Sequence, residues 1–136
     1  MREVFNKSYF LCWIPIPLLL LIGFFDKGVF DINIHDTYYI ITNNHFLILI
    51  SIILFIDGLG YWLLKKKNTI RWMIIFHVSA TFISILIFTI YLLKSIYGSN
   101  LLIYTIFLFV FAQFIYLINI FISTIRNKNK NLKLSN

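Results

Sequence analysis

Four long apolar runs decide what this chain can fold into. They cover residues of about 9–25, 46–64, 72–93 and 101–125. Each approaches or exceeds the roughly 20 apolar residues that a helix needs to cross the hydrocarbon of a bilayer. Together they take up most of the 136 residues, so nothing is left over for a soluble domain. Only 12% of the residues are charged, against about 25% in soluble domains. The runs are continuous instead of alternating, which argues against a transmembrane β-barrel. The expected fold class is therefore all-α, a single integral membrane four-helix bundle over residues 1–136. The short connections 65–71 and 94–100 make consecutive spans antiparallel.

The net charge of +7 does not point to nucleic acid once its placement is considered. Arg2 and Lys7 precede the first span, Lys65, Lys66, Lys67 and Arg71 join the second to the third, and Arg126, Lys128, Lys130 and Lys133 follow the fourth. Only Lys27 and Lys94 lie in the other two connections. This asymmetry is the positive-inside pattern. It predicts that both termini and the 65–71 loop are cytoplasmic, with loops 26–44 and 94–100 outside, in a bacterial cytoplasmic (inner) membrane. Residues 126–136 read as a loosely ordered basic tail with some attraction to anionic lipid. The basic start resembles a signal peptide, but no small-residue cleavage site follows, so residues 9–25 are kept as a span. Pro15 and Pro17 within it remove backbone donors and predict a kink or a late helix start. Cys12 stands alone, so no internal disulfide forms.

Residues 30–46, FDINIHDTYYIITNNHF, interrupt the apolar pattern. If the second helix starts near Asp36 or Thr37, Asp36 caps it and the span covers 37–64. His45 then lies roughly 13 Å along the helix, at the edge of the hydrocarbon. A polar group there faces other helices or a cavity. Asp31, His35 and Asp36 offer carboxylate and imidazole ligands that suit magnesium, manganese or zinc. A helix cap on a solvated loop explains the same residues.

This stretch resembles subunit I of the haem–copper oxidases. Asp31-x-x-x-His35-Asp36-Thr37-Tyr38-Tyr39, followed by His45-Phe46, looks like the string that leads into that family's tenth transmembrane helix. The resemblance implies that His45 falls on the low-spin haem ligand and Asn43 on the high-spin ligand, which is thus missing. It places His35 and Asp36 on a pair that binds a non-redox magnesium, and Asp31 on a carboxylate near the haem propionates. Gly58 matches a helix-ten glycine, and Phe76-His77 looks more weakly like the eleventh helix. Spans one and four would match the ninth and twelfth by order alone. The family's copper histidines, its second low-spin ligand and its arginine pair have no counterparts here. One chain is thus not expected to reduce oxygen, and no catalytic residue is assigned.

Asp57 lies eight residues before Lys65, and His77 six residues after Arg71, on the neighbouring antiparallel span. Helical rise puts both roughly 10 Å from the inner ends. A contact between them would offset the cost of burying Asp, about 2.5–3.5 kcal/mol on insertion scales. Three functions follow as alternatives. The first is a non-catalytic membrane subunit, assembly partner or scaffold related to oxidase subunit I. The second is a haem-binding electron-transfer protein using His45, with the other ligand coming from a second copy in a homo-oligomer or from another membrane subunit. The third is a proton- or ion-conducting module using Asp57 and His77. The lipid bilayer is the partner common to all three.

Overall fold

The structure, a computed structural model, describes residues 8–34, 36–65, 69–94 and 100–134. Four spans cross the length expected of a membrane: Ser8–Phe25, Asn43–Leu63, Arg71–Leu92 and Leu101–Arg126. The chain is an all-α multi-pass membrane protein. The first span is two helices, α1 (Ser8–Trp13) and α2 (Pro15–Phe25), interrupted at Ile14. Pro15 and Pro17 cannot donate to the preceding turn, and Pro15 restarts the helix at a position where no donor is needed. The other three spans are α3 (Asn43–Leu63), α4 (Arg71–Lys94) and α5 (Asn100–Leu134).

The second helix begins later than the sequence predicts. Residues 37–42 are a strand, not the first turns of a span. β1 (Val29–Ile34) and β2 (Thr37–Thr42) pair antiparallel, with Val29 opposite Thr42 and Ile34 opposite Thr37. Thr37, Tyr38, Tyr39, Ile40, Ile41 and Thr42 are all β-branched or aromatic, the residue types that fit a pleated strand best. Asp36 is exposed in the turn and caps nothing; the residue preceding α3 is Thr42. The basic segment differs too. The α5 helix continues through it to Leu134, because lengthening a formed helix gains a hydrogen bond per residue while nucleation costs nothing further. Its 35 residues amount to about 52 Å, well beyond a hydrocarbon core of about 30 Å.

The bundle buries polar side chains inside and turns many large apolar ones outward. Phe24, Phe107, Phe121, Leu86 and Tyr104 are each more than 60% exposed, whereas Asn43, Ser51, Asp57, His77, Thr81, Ser84 and Asn119 are buried. Lipid tails leave no hydrophobic reason to hide every Leu and Phe, so small and polar groups share the interhelical contacts with apolar packing. Two clusters fill the centre. One contains Leu19, Leu47, Ile50, Leu54, Ile85, Phe88 and Leu92, toward the hairpin end. The other contains Tyr9, Cys12, Tyr61, Ile74 and Tyr116, toward the Lys65–Arg71 end. Lys65 Nζ sits 5.6 Å above the Tyr9 ring, which ties the start of α1 to the end of α3.

Two glycines make the close approaches possible. At Gly58 a Cβ would run into the Trp13 indole, and at Gly60 into the Tyr116 hydroxyl. The indole lies against α3, donates to the Phe55 carbonyl at 3.3 Å and stacks on Phe55 at 6.1 Å. Gly58→Ala is expected to destabilise the protein by about 1–3 kcal/mol through overpacking, despite the better helix propensity of Ala. Gly23→Ala, where the nearest atom lies 3.3 Å away, is expected to cost less. Unfolding in detergent micelles, followed by circular dichroism, compares the two.

Candidate functional site

Asp57 sits one turn and a half before the end of α3, and Tyr61 lies four residues further on, on the same face. His77 sits two turns into α4. The antiparallel pairing of these helices sets the three side chains at one depth. His77 Nε2 lies 3.4 Å from Asp57 Oδ2, with the two side chains 0% and 2% exposed. On the other side of the ring, the Tyr61 hydroxyl and His77 Nδ1 are hydrogen-bonded at 3.1 Å. The Tyr116 ring from α5 stacks on the imidazole, 5.0 Å between centroids and 29° between planes. The Tyr116 hydroxyl donates to the main-chain carbonyls of Ile56 and Asp57, at 3.1 and 3.2 Å. It thereby helps hold the turn of α3 that presents Asp57.

Asp57 Oδ2 and His77 Nε2 approach each other without a well-directed hydrogen bond, and neither has another partner among the described residues. Two groups that both carry or accept a proton thus face one another in a closed space. Either form of the pair, carboxylate with imidazolium or carboxyl with imidazole, is net neutral. That neutrality lets both groups remain in a low-dielectric interior. Tyr61 holds the ring's orientation from behind, as an outer hydrogen-bond partner does for a working histidine.

The residues at the hairpin end do not gather into a comparable centre. His45 is the third residue of α3, in its first turn and exposed, instead of nine residues into a helix. The Thr42 hydroxyl and His45 Nδ1 are hydrogen-bonded to each other. The two occupy the positions of a capping box, with His in place of Glu or Gln. Asn43 is not a ligand position here. Its side chain is 2% exposed, donates to Asp26 Oδ2 at 3.0 Å, and accompanies a main-chain bond from Asn43 to the Gly28 carbonyl. With Gly28 N–H donating to Asp26 Oδ1 at 2.8 Å, this clasp fixes the base of the hairpin to the start of α3. Asp31 lies on β1 opposite Ile40, Asp36 is exposed, and His35 lies outside the described residues. Among the described residues no three His, Cys, Asp or Glu side chains come together as a metal site.

His45 offers one imidazole, with Nδ1 tied to Thr42 and the ring exposed. The other described histidine, His77, is buried against Asp57 toward the opposite end of the bundle. Among the described residues, one chain therefore offers only half of a two-histidine axial set for haem.

Several functional contacts were not read from the sequence. Tyr61 looks like part of an interfacial aromatic belt beside Trp62, yet Trp62 is 50% exposed while Tyr61 is 2% exposed and turned onto His77. The spacing Asp57–Tyr61, one helical turn, was the available signal. Asn119 is fully buried. It accepts from Ile70 N–H at 3.0 Å and donates to the Ile70 carbonyl at 3.4 Å, so it anchors the loop that leads into α4.

No protein-family model matches the chain, and no curated protein or solved structure matches it either.

A double-mutant cycle on Asp57→Asn and His77→Ala is expected to show a coupling of about 0.5–3 kcal/mol in unfolding free energy, the range for residues in contact. Losses that simply add would mean the two side chains do not interact.

Proposed function

We propose that this chain is a small multi-pass subunit of a bacterial cytoplasmic membrane, related to subunit I of the haem–copper oxidases and not catalytic on its own. We infer further that its working group is Asp57–His77, acting as a proton-exchanging centre. The observation that carries this reading is the 3.4 Å approach of a carboxylate and an imidazole, both shut away from solvent and inside a membrane span. Ionisable residues inside spans are expensive to keep, and by default they mark proton or ion pathways. Histidine is the side chain whose charge changes nearest neutral pH. A scaffold could hold its helices together with amides or hydroxyls, and this bundle already does so through Asn119. An ionisable pair adds the capacity to hold one proton between two acceptors without net charge.

The relation to oxidase subunit I is supported by residues 30–46 and by the order of the spans. In this reading the hairpin and His45 lie on the outer side, and Asp57–His77 lies nearer the cytoplasm. A second copy or a partner subunit would complete whatever His45 begins.

The test is the side-chain nitrogen spectrum of His77 in the full chain, recorded in lipid bilayers. The ring spectrum is expected to differ between the native protein and Asp57→Asn, which keeps the side-chain shape but cannot share a proton with the imidazole. An identical ring spectrum in both proteins would make the pair purely structural.

A further inference from the structure

The face of α4 that presents His77 carries two more buried polar side chains, Thr81 and Ser84, which are 2% and 0% exposed. Positions 77, 81 and 84 follow one another at helical spacing, so the three line up along the axis. Hydroxyls on a helix commonly donate to the carbonyl one turn back. Ser51, Thr89, Thr105 and Thr124 all do so here, at 2.8–2.9 Å, to Leu47, Ile85, Leu101 and Ile120. Thr81 and Ser84 do not. Neither hydroxyl has a hydrogen-bond partner among the described residues, and neither do Asp57 Oδ2 and His77 Nε2. Four buried polar atoms are thus left open on one side of the bundle, two of them with a local alternative unused.

We propose that ordered water fills this seam, and that the seam is a proton half-channel open only toward the Lys65–Arg71 end. The proposal rests on reading Asp57–His77 as a proton-exchanging centre. Along the axis, His77 to Thr81 is about 6 Å and Thr81 to Ser84 about 4.5 Å. One water making two hydrogen bonds of about 2.8 Å reaches about 5.6 Å at most, enough for the shorter gap, and two waters cover the longer one. Buried polar groups without protein partners are where internal water is found.

The two ends of the seam differ. Phe88 comes next on the same face of α4 and packs in the cluster with Leu47, Ile50 and Leu54. The hydroxyls toward that end, those of Ser51, Thr89 and Thr105, are taken up by carbonyls of their own helices, so the line of open hydroxyls stops at Ser84. In the other direction it continues. Tyr61 bonds His77 Nδ1, Asn119 lies beside the Tyr61 hydroxyl, and Asn119 bonds both main-chain groups of Ile70 in the partly exposed loop. The titratable groups facing the pair are Tyr61 from α3, Cys12 from α1 and Tyr116 from α5. A proton entering beside Ile70 therefore meets polar groups as far as Ser84 and an apolar wall beyond it.

The experiment is water-to-protein magnetisation transfer by solid-state NMR, on the isotope-labelled full chain in deuterated lipid bilayers. The side-chain signals of Thr81 and Ser84 are expected to rise several-fold faster than those of Leu47 and Leu54. Signals of Thr81 and Ser84 that rise as slowly as Leu47 would overturn the seam. The His77 nitrogen spectrum separates this failure from that of the pair. A ring spectrum that changes in Asp57→Asn beside a dry Ser84 overturns the half-channel and leaves the pair. A ring spectrum indifferent to Asp57→Asn beside a wet Ser84 overturns the proton reading, and the half-channel with it.

Discussion

A carboxylate taken out of water must find a partner, and in this protein the rest of the interior is arranged around that need. Asp57 lies within a span and is 2% exposed. Its partner His77 comes from the next helix, so the contact requires α3 and α4 to be antiparallel and correct in depth. Tyr61 braces the imidazole, Tyr116 covers it, and Gly60 leaves the space that Tyr116 occupies. A shift of one residue in either helix would move Asp57 or His77 about 1.5 Å along the axis and about 100° around it, and would leave both groups unpaired in a low-dielectric setting.

The bundle's two halves divide the remaining work. Toward the Lys65–Arg71 end the centre is aromatic and polar, with hydroxyls, an amide and the ionisable pair. Toward the hairpin end its packed cluster is apolar, with Phe88 among Leu47, Ile50 and Leu54. The hairpin adds a third, separate element. Asp26, Gly28 and Asn43 bind it to the start of α3 through side-chain amide and carboxylate bonds and a main-chain bond. This explains how two short strands, one of which leaves Ile40 69% exposed, can keep a fixed place on a helical membrane protein.

Much of this architecture was legible in the sequence, because a bilayer imposes a length. The four spans follow from apolar runs alone. The depth of Asp57 and His77 follows from counting residues to Lys65 and Arg71, since helical rise is constant. The start of α3 was missed. No Gly or Pro separates TYYIIT from the apolar run, and the one local mark of the change is Thr42 at the cap followed by Asn43 and Asn44. Placing His45 deep in a span followed from that error. Tyr61 beside Trp62 has the composition of an interfacial belt, and only the packing of Tyr116 and His77 turns it inward. The clasp between Asp26 and Asn43 joins residues 17 apart, with no local pattern to signal it. The open hydroxyls of Thr81 and Ser84 are invisible in a sequence, because back-bonding and outward-facing hydroxyls have the same residue code.

The most direct measurement is the dipolar coupling between the Asp57 carboxyl carbon and His77 Nε2, by solid-state NMR on the selectively labelled protein in lipid. A carboxylate oxygen 3.4 Å from that nitrogen predicts clear dephasing of the carboxyl signal by the labelled ring. A carboxyl signal unaffected by the nitrogen label would mean that the two helices do not meet there, and that the interior is built around something else.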